Sequence, residues 1–576
     1  MRIKQRELPR SLPSFSSYPP VLQRIYALRG LNDESQLDKS FQALLPFNTL
    51  TDIDKACVRL EQAIRDQQRI LIVGDFDADG ATSTALAISA LRAMGASHVE
   101  FLVPNRFEFG YGLTPAIIEV AKKWKPNLII TVDNGIASLD GVAAAFKAGI
   151  DVIITDHHLP AEHLPKACAI VNPNQPGDLF KSKSIAGVGV IFYVMLALRR
   201  HLINVGWFHS QGLTEPNMAQ LLDLVALGTV ADVVALDQNN RILVNQGLAR
   251  IRQGQCRPGI KALIEISGRN CARLRESDLG FAIAPRLNAA GRLDDMSLGI
   301  ECLLSDNDEK AIMLAKSLDE LNQERRIIEA EMKEQAVLAI DKLTKRIENA
   351  HQLPVALCMM DSSWHQGVIG ILAGRLKERY HRPVIAFAKV SGDELKGSAR
   401  SVPVLNIRDA LAAVDRDNPG LIAKFGGHAM AAGLSIHPQA FNNFQQAFIA
   451  EVAKHVDISQ CEGELWTDGP LQLTEITIET ANLLHQAGPW GQQFPEPCFD
   501  NIFEILDQRL VGQHHLKLSL VHPDGGNPID AIAFNVDLNQ WPNYRARQAH
   551  IAYRLDVNFY QGKSRLQLLV EAMQVI

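Results

Sequence analysis

No two of the eight cysteines (Cys57, Cys168, Cys256, Cys271, Cys302, Cys358, Cys461 and Cys498) form a C-x-x-C pair, which speaks against a zinc cluster or a disulfide framework. Buried thiols in a reducing compartment fit better. No apolar run is long enough to span a bilayer, and the N-terminal stretch MRIKQRELPRSLPSFSSYPP is basic but lacks the apolar centre of a signal peptide. These absences predict a cytoplasmic protein without a membrane anchor. Positive charge is not in surplus either: 58 Lys and Arg against 64 Asp and Glu leave a formal net charge of −6. Whole-chain electrostatics give no support to a nucleic-acid partner, although a basic track beside an acidic centre would be averaged away in such a sum.

What is present is length and an ordinary globular balance. At 576 residues, with 47% hydrophobic and 21% charged side chains, the chain exceeds one core and predicts three or four domains. Residues 1–50, punctuated by Pro9, Pro13, Pro19 and Pro20, read as a surface arm. From about 54 to 172 apolar runs (RILIVG, VEFLVP, NLIITV, DVIITD, CAIVN) alternate with helical stretches, the rhythm of βαβ units around a parallel sheet, and 184–300 reads as more helical. Between Asp306 and Leu353 there is neither Gly nor Pro, and apolar residues recur at spacings of three and four. This predicts a long amphipathic helix, within a 301–353 segment, that bridges two lobes. A second α/β unit occupies 354–456. Beyond it, 457–576 alternates with period two around HPDGGNP, as expected of a small β-barrel with a tight hairpin.

The stretch VGDFDADGATS, residues 73–83, stands where a buried strand turns into a helix, a place where glycines usually cradle phosphate. Asp75, Asp77 and Asp79 would repel phosphate unless a cation lay between. In an open parallel sheet, ligands gather beyond the carboxyl ends of the strands. There the chain also places Asp133, after LIITV, and Asp156, His157 and His158, after VIIT; Asp232 lies inside the apolar run LGTVADVVAL. Any one aspartate reads equally well as a helix N-cap. Together they read as a metal centre, because convergent like charges need a cation to persist. Mixed carboxylate and imidazole donors point to Mn²⁺ or Mg²⁺, as a pair about 3.5–4 Å apart that suits attack of water on a phosphoryl group.

DFDADG, VDNGI, DHH, VADVV, PRLNAAGR, HQGVIGILAGRL, GSARS and GGHAMAAG follow one another in this order. From about residue 50 onward the chain thereby resembles the RecJ-type single-strand-specific exonucleases of the DHH phosphoesterase superfamily. The resemblance implies a DHH lobe over 51–300, a DHHA1-like lobe over 354–456 and a C-terminal oligonucleotide-binding (OB) barrel. It implies that Asp75, Asp77, Asp79, Asp133, His157 and Asp232 hold the metals, with Asp133 bridging. His158 would face the scissile phosphate or leaving oxygen, and Asp156 would orient an imidazole from behind. Relatives often begin the first motif with histidine; here Asp75 stands near that place. The resemblance also implies 5′-to-3′ degradation of single-stranded DNA, a role in repair and recombination, single-strand-binding protein and repair helicases as partners, and a monomer.

Arg286 and Arg292 flank Asn288 in a small-residue turn. Either arginine alone could be a structural ion pair; together with Asn288 and the glycine turn, in a RecJ-like motif, they read as a substrate-binding phosphate clamp, Arg286 also serving catalysis. In the second lobe Ser398, Arg400, Ser401, Gly426, Gly427 and His428 resemble a substrate site, while His365 reads as either a contact or a core histidine. In the barrel, Tyr544, Arg545, Arg547, Tyr553, Arg554, Tyr560, Lys563 and Arg565 supply aromatics and cations for a single strand, some of them necessarily inward-facing. Two other readings compete. A small-substrate DHH phosphoesterase (a pyrophosphatase, cyclic-dinucleotide phosphodiesterase or short-oligonucleotide nuclease) would not need the bridging helix and barrel. An inactive replication scaffold would not need to keep every carboxylate and both histidines.

Overall fold

Ile70–Val73, Leu128–Val132, Asp151–Thr155 and Ala169–Val171 are near-continuous apolar runs, as strands buried on both faces must be. In the computed structural model they form, with Val99–Leu102, a five-stranded sheet that is parallel throughout. Its order is Val99–Leu102, Ile70–Val73, Leu128–Val132, Asp151–Thr155, Ala169–Val171. The chain leaves Ile70–Val73 to one side and returns on the other, so a topological switch point lies between Ile70–Val73 and Leu128–Val132. The structure describes residues 2–11, 13, 15–104, 109, 112–346, 353–390, 393–427, 429–457, 463–538, 540–560 and 563–576, apart from the side chains of 339–346 and 560.

Two compact units emerge, one comprising Arg6–Asn322 with Asp468–Ile576, the other Met1–Gln5 with Gln323–Thr467. In the first, the alanine-rich helix Ala78–Ala93 is buried almost throughout, and its small side chains let Gly187–Asn204 and Leu222–Ala231 pack closely against it. Contrary to the expectation that no apolar run could span a bilayer, Gly187–Asn204 has, among the described helices, the length and apolarity of a membrane span, and it lies mostly buried in this core.

The first fifty residues correct the expectation of a surface arm. The helix Pro20–Leu28 directs Leu22, Ile25 and Tyr26 into the same core, joined by Phe15. Frequent prolines mask this short apolar stripe in the sequence. Arg29 then forks onto Asp468, Nη1 to Oδ1 at 2.6 Å and Nη2 to Oδ2 at 2.9 Å, and Arg6 Nη1 reaches Oδ1 at 3.0 Å. The core continues through Leu484, Trp490 and Phe494 into the barrel. Five strands close that barrel in the order Phe499–Val511, His515–His522, Gly525–Ala533, Lys563–Val575, Gln548–Tyr560. The expected hairpin joins His515–His522 to Gly525–Ala533.

The predicted long helix is Asp308–Arg346, 39 residues, running from the first unit into the second. There a mixed five-stranded sheet has the order Lys424–Gly427, Ala431–Ile436, Leu395–Arg400, Val384–Lys389, Leu357–Asp361, with only the last pair parallel. Arg2–Gln5 pairs in parallel with Glu464–Thr467 in the same unit.

Candidate metal centre and its surroundings

The acidic residues follow the carboxyl ends of three adjacent strands. Asp75 comes two residues after Val73, Asp133 directly after Val132, and Asp156, His157 and His158 directly after Thr155. Asp232 ends the helix Leu222–Ala231. Asp133 adopts a left-handed backbone (φ 63°), and so does Val233 beside Asp232 (φ 61°). Such strain in non-glycine residues, one of them β-branched, persists only where the surroundings impose it.

Three sets of donor atoms each converge to within 4.8 Å: Asp75, Asp77 and Asp133; Asp133, His157 and His158; Asp79, His157 and Asp232. The sets share Asp133 and His157, whose Oδ1 and Nε2 are 3.1 Å apart; His157 Nε2 also lies 3.5 Å from Asp232 Oδ2. Burial first, then the neighbouring aspartates, lifts the Asp133 and Asp232 carboxyls well above the usual range. Asp79 rises to about 7 through burial and Asp77, although two backbone amides oppose the shift. Crowded oxygens that resist ionisation together, mixed with imidazole nitrogen, are the donor set of a Mn²⁺ or Mg²⁺ centre, so the residues fit the ions.

Each carboxylate has a distinct local task. Asp77 caps the helix Ala78–Ala93 by accepting the Gly80 N–H at 3.0 Å, and Asp75 Oδ1 accepts the Phe76 N–H at 2.7 Å. Asp79 is buried and accepts the Gly187 and Val188 amides at 2.7 and 3.0 Å, so it caps a second helix, Gly187–Asn204. Asp156 accepts the amides of Ile136, His157 and His158, and its Oδ1 is 2.7 Å from His158 Nδ1. Burial disfavours the charged His158 ring, but the bond to Asp156 and the fields of Asp156, Asp232 and Asp75 prevail and push its pKa up to about 9. Burial likewise opposes the Asp156 charge, and its bonds to His158 outweigh it, holding that carboxyl low.

The remaining candidates divide between the units. In the first, Asn288 Oδ1 accepts the Ala78 N–H at 2.8 Å, next to Asp77. Arg286 Nη2 pairs with Asp319 Oδ1 at 2.7 Å and Nη1 donates to the Ala282 carbonyl; Arg292 is half-buried on the same helix, Ala284–Leu293. In the second, Arg400 Nη1 donates to Ser398 Oγ at 3.1 Å, and buried Ser401 donates to the Leu405 carbonyl. Ser398 lies in register with Gly433, which pairs with Gly426, and Gly427 has φ +146°. His428 lies outside the described residues. His365 is exposed and accepts the Gly367 amide, so it is not a core histidine. In the barrel Tyr544, Arg545, Arg547, Lys563 and Arg565 are exposed. Tyr553 is buried against Asn501, and Arg554 is paired with Glu496 and Glu571. The side chain of Tyr560 lies outside the described residues.

Several supporting residues escape a motif reading. An added Cβ at Gly187 would lie 2.6 Å from Asp133 Oδ1, one at Gly228 2.8 Å from Asp79 Oδ1, and one at Gly291 1.8 Å from the Phe76 carbonyl oxygen. Asn172 and Asn174 donate to the carbonyls of His158 and His157. The sequence signals for these are a glycine inside an apolar run, the glycine that ends the small-residue turn of PRLNAAGR, or an asparagine in a turn. Phe534 and Phe559, also exposed on the barrel, were not singled out either.

Comparison with known proteins finds three family domains in successive parts of the chain. Residues 69–229 match the DHH family, N-terminal domain, residues 352–454 the DHHA1 domain, and residues 467–572 the RecJ OB domain. The single-stranded-DNA-specific exonuclease RecJ of Dickeya dadantii is 55% identical over 568 residues, covering 98% of this chain and 97% of that protein. The Escherichia coli protein of the same name is 52% identical over 572 residues, covering 99% and 98%. The structure of RecJ in complex with Mn²⁺ from Thermus thermophilus superimposes with a TM-score of 0.80 at 28% identity, covering 100% of this chain and 79% of that one. Identity of this extent along both sequences leaves one assignment: the chain belongs to the RecJ family of single-stranded-DNA-specific exonucleases.

Proposed function

We propose that this chain hydrolyses the phosphodiester bonds of single-stranded DNA from the 5′ end, with Mn²⁺ or Mg²⁺ as cofactor, in repair and recombination. The observation that carries the reading is the convergence of Asp75, Asp77, Asp79, Asp133, His157 and Asp232 beyond the strand ends, with Asp133 and His157 shared between donor sets. A relative of known fold is described with Mn²⁺ and another structure of it with Mg²⁺. When bound there, two divalent ions would activate water and neutralise charge on the phosphoryl oxygens.

The chain's own groups orient the reaction. Asp133, common to two donor sets, would help hold both ions, its carboxylate set in place by its left-handed backbone and by Gly187. His158 has Nδ1 committed to Asp156, so Nε2 is the atom that hydrogen-bonds the scissile phosphate or gives a proton to the leaving oxygen. Arg286 and Arg292 neutralise phosphate, Arg286 after exchanging Asp319 for it. Ser398, Arg400, Ser401, Gly426, Gly427 and His428 bind substrate from the DHHA1-like unit. The exposed cations and aromatics of the barrel track and stack the strand. The protein acts as a monomer in the cytoplasm, with single-strand-binding protein and repair helicases as its partners.

The test compares 5′-labelled and 3′-labelled single strands and a blunt duplex, each with Mn²⁺, Mg²⁺ or chelator. Early release of a labelled mononucleotide from the 5′-labelled strand alone, abolished by chelator, is expected. Release from the 3′ label first, or undiminished cutting with chelator, would overturn the reading.

A further inference from the structure

The helix Ala78–Ala93 begins with amides that have no partner within the helix. Asp77, its N-cap, accepts the Gly80 N–H through Oδ1. The first amide, Ala78 N–H, goes elsewhere: Asn288 Oδ1, from the helix Ala284–Leu293, accepts it at 2.8 Å. Asp75 shows the alternative arrangement, because its own carboxylate takes up the amide of the following residue, Phe76, at 2.7 Å. Asp77 precedes Ala78 as Asp75 precedes Phe76. Gly291, one turn beyond Asn288, keeps the two segments in contact, for there is no room for a Cβ beside the Phe76 carbonyl.

We infer that Asn288 is a positioning residue for the metal centre: by occupying the Ala78 amide it keeps the second carboxylate oxygen of Asp77 turned out for a cation. The inference rests on the metal reading above and moves Asn288 from the phosphate clamp to the support of the acidic loop. Without the amide acceptor, Asp77 would follow the Asp75 pattern and fold its remaining oxygen onto its neighbour's N–H. An amide suits the role because a carboxylate at 288 would add charge to an already crowded cluster.

The experiment is Mn²⁺ titration of the full-length protein without DNA, followed by electron paramagnetic resonance, alongside hydrolysis of a single strand as a function of Mn²⁺. Asn288→Ala should weaken Mn²⁺ binding about 10–100-fold, the range for residues that hold ligands from behind. The Mn²⁺ concentration that half-saturates hydrolysis should rise by a similar factor. Asn288→Asp, which keeps an acceptor for Ala78, should bind Mn²⁺ no more weakly than the unaltered protein. Asn288→Ser, too short to reach the amide, should resemble Asn288→Ala and substitutes for it if that variant does not fold. Unchanged Mn²⁺ affinity in the Ala and Ser variants, or an Asp variant as impaired as they are, overturns the inference while leaving the metal reading standing. Failure of the unaltered protein to bind Mn²⁺ overturns both.

Discussion

Asp133 concentrates the strain of the site: its backbone is left-handed, and burial first, then four aspartates, raise the pKa of its carboxyl. Asp133→Ala removes one carboxyl from that crowd, so the metal-free protein should melt no lower than the unaltered one. Hydrolysis should fall by more than the roughly 10–100-fold typical of residues behind the ligands. Full activity in that variant would contradict its place as a bridging ligand. Divalent metal should act in the opposite sense on stability: Mn²⁺ at about 100 times its Kd adds about 2.7 kcal/mol to the folded state. A thermal melt that does not shift with Mn²⁺ would be inconsistent with the site. On the barrel, exposed Tyr544 is the better stacking candidate than buried Tyr553. Tyr544→Ala should weaken binding of a long single strand by the roughly 1–3 kcal/mol of one stacked base, and leave cleavage of a short oligonucleotide unaltered.

At the scale of elements, the acidic loop is gripped by helices that approach through glycines. Ala284–Leu293 meets it at Asn288 and Gly291, Gly187–Asn204 at its first two amides, and Leu222–Ala231 at Gly228. A methyl at Gly291 would stand 1.8 Å from a backbone oxygen, so the helix or the loop must move. Gly291→Ala should therefore cost about 1–3 kcal/mol, measured by denaturant unfolding, and should impair metal binding along with stability. Stability equal to that of the unaltered protein would mean the packing is looser than these distances state.

Across the whole molecule, the N-terminal segment and the barrel share one core with the parallel sheet and are tied together at Asp468, whose side chain is fully buried. Arg29→Ala leaves that carboxylate with less compensation and should destabilise the first unit by about 3–5 kcal/mol. Deleting the chain from Asp468 onward would strip Trp490 and Phe494 from their packing and orphan Arg29. The shortened protein is expected to lose its cooperative thermal transition, not merely its grip on DNA. A truncated protein that melts as sharply as the full chain would refute this coupling.

The parallel sheet, the long helix and the barrel were legible because each rests on local periodicity, and apolar runs of four or five residues admit little besides buried strands. The acidic rim was legible for a related reason: parallel strands deliver their C-terminal residues to one edge, so sequence position alone brings Asp75, Asp133 and His157 together. Tertiary structure decided how each oxygen is used. Asp77 and Asp79 are two residues apart, yet one caps its own helix and the other a helix that starts more than a hundred positions later. It also decided that Arg286 meets Asp319 and that the first fifty residues enter the core, since both depend on partners distant in the chain. In the barrel the pairing of Gln548–Tyr560 with Lys563–Val575 slips between Ala552 and Tyr553. A slip of this kind changes which side chains face inward, and no alternation read from sequence records it.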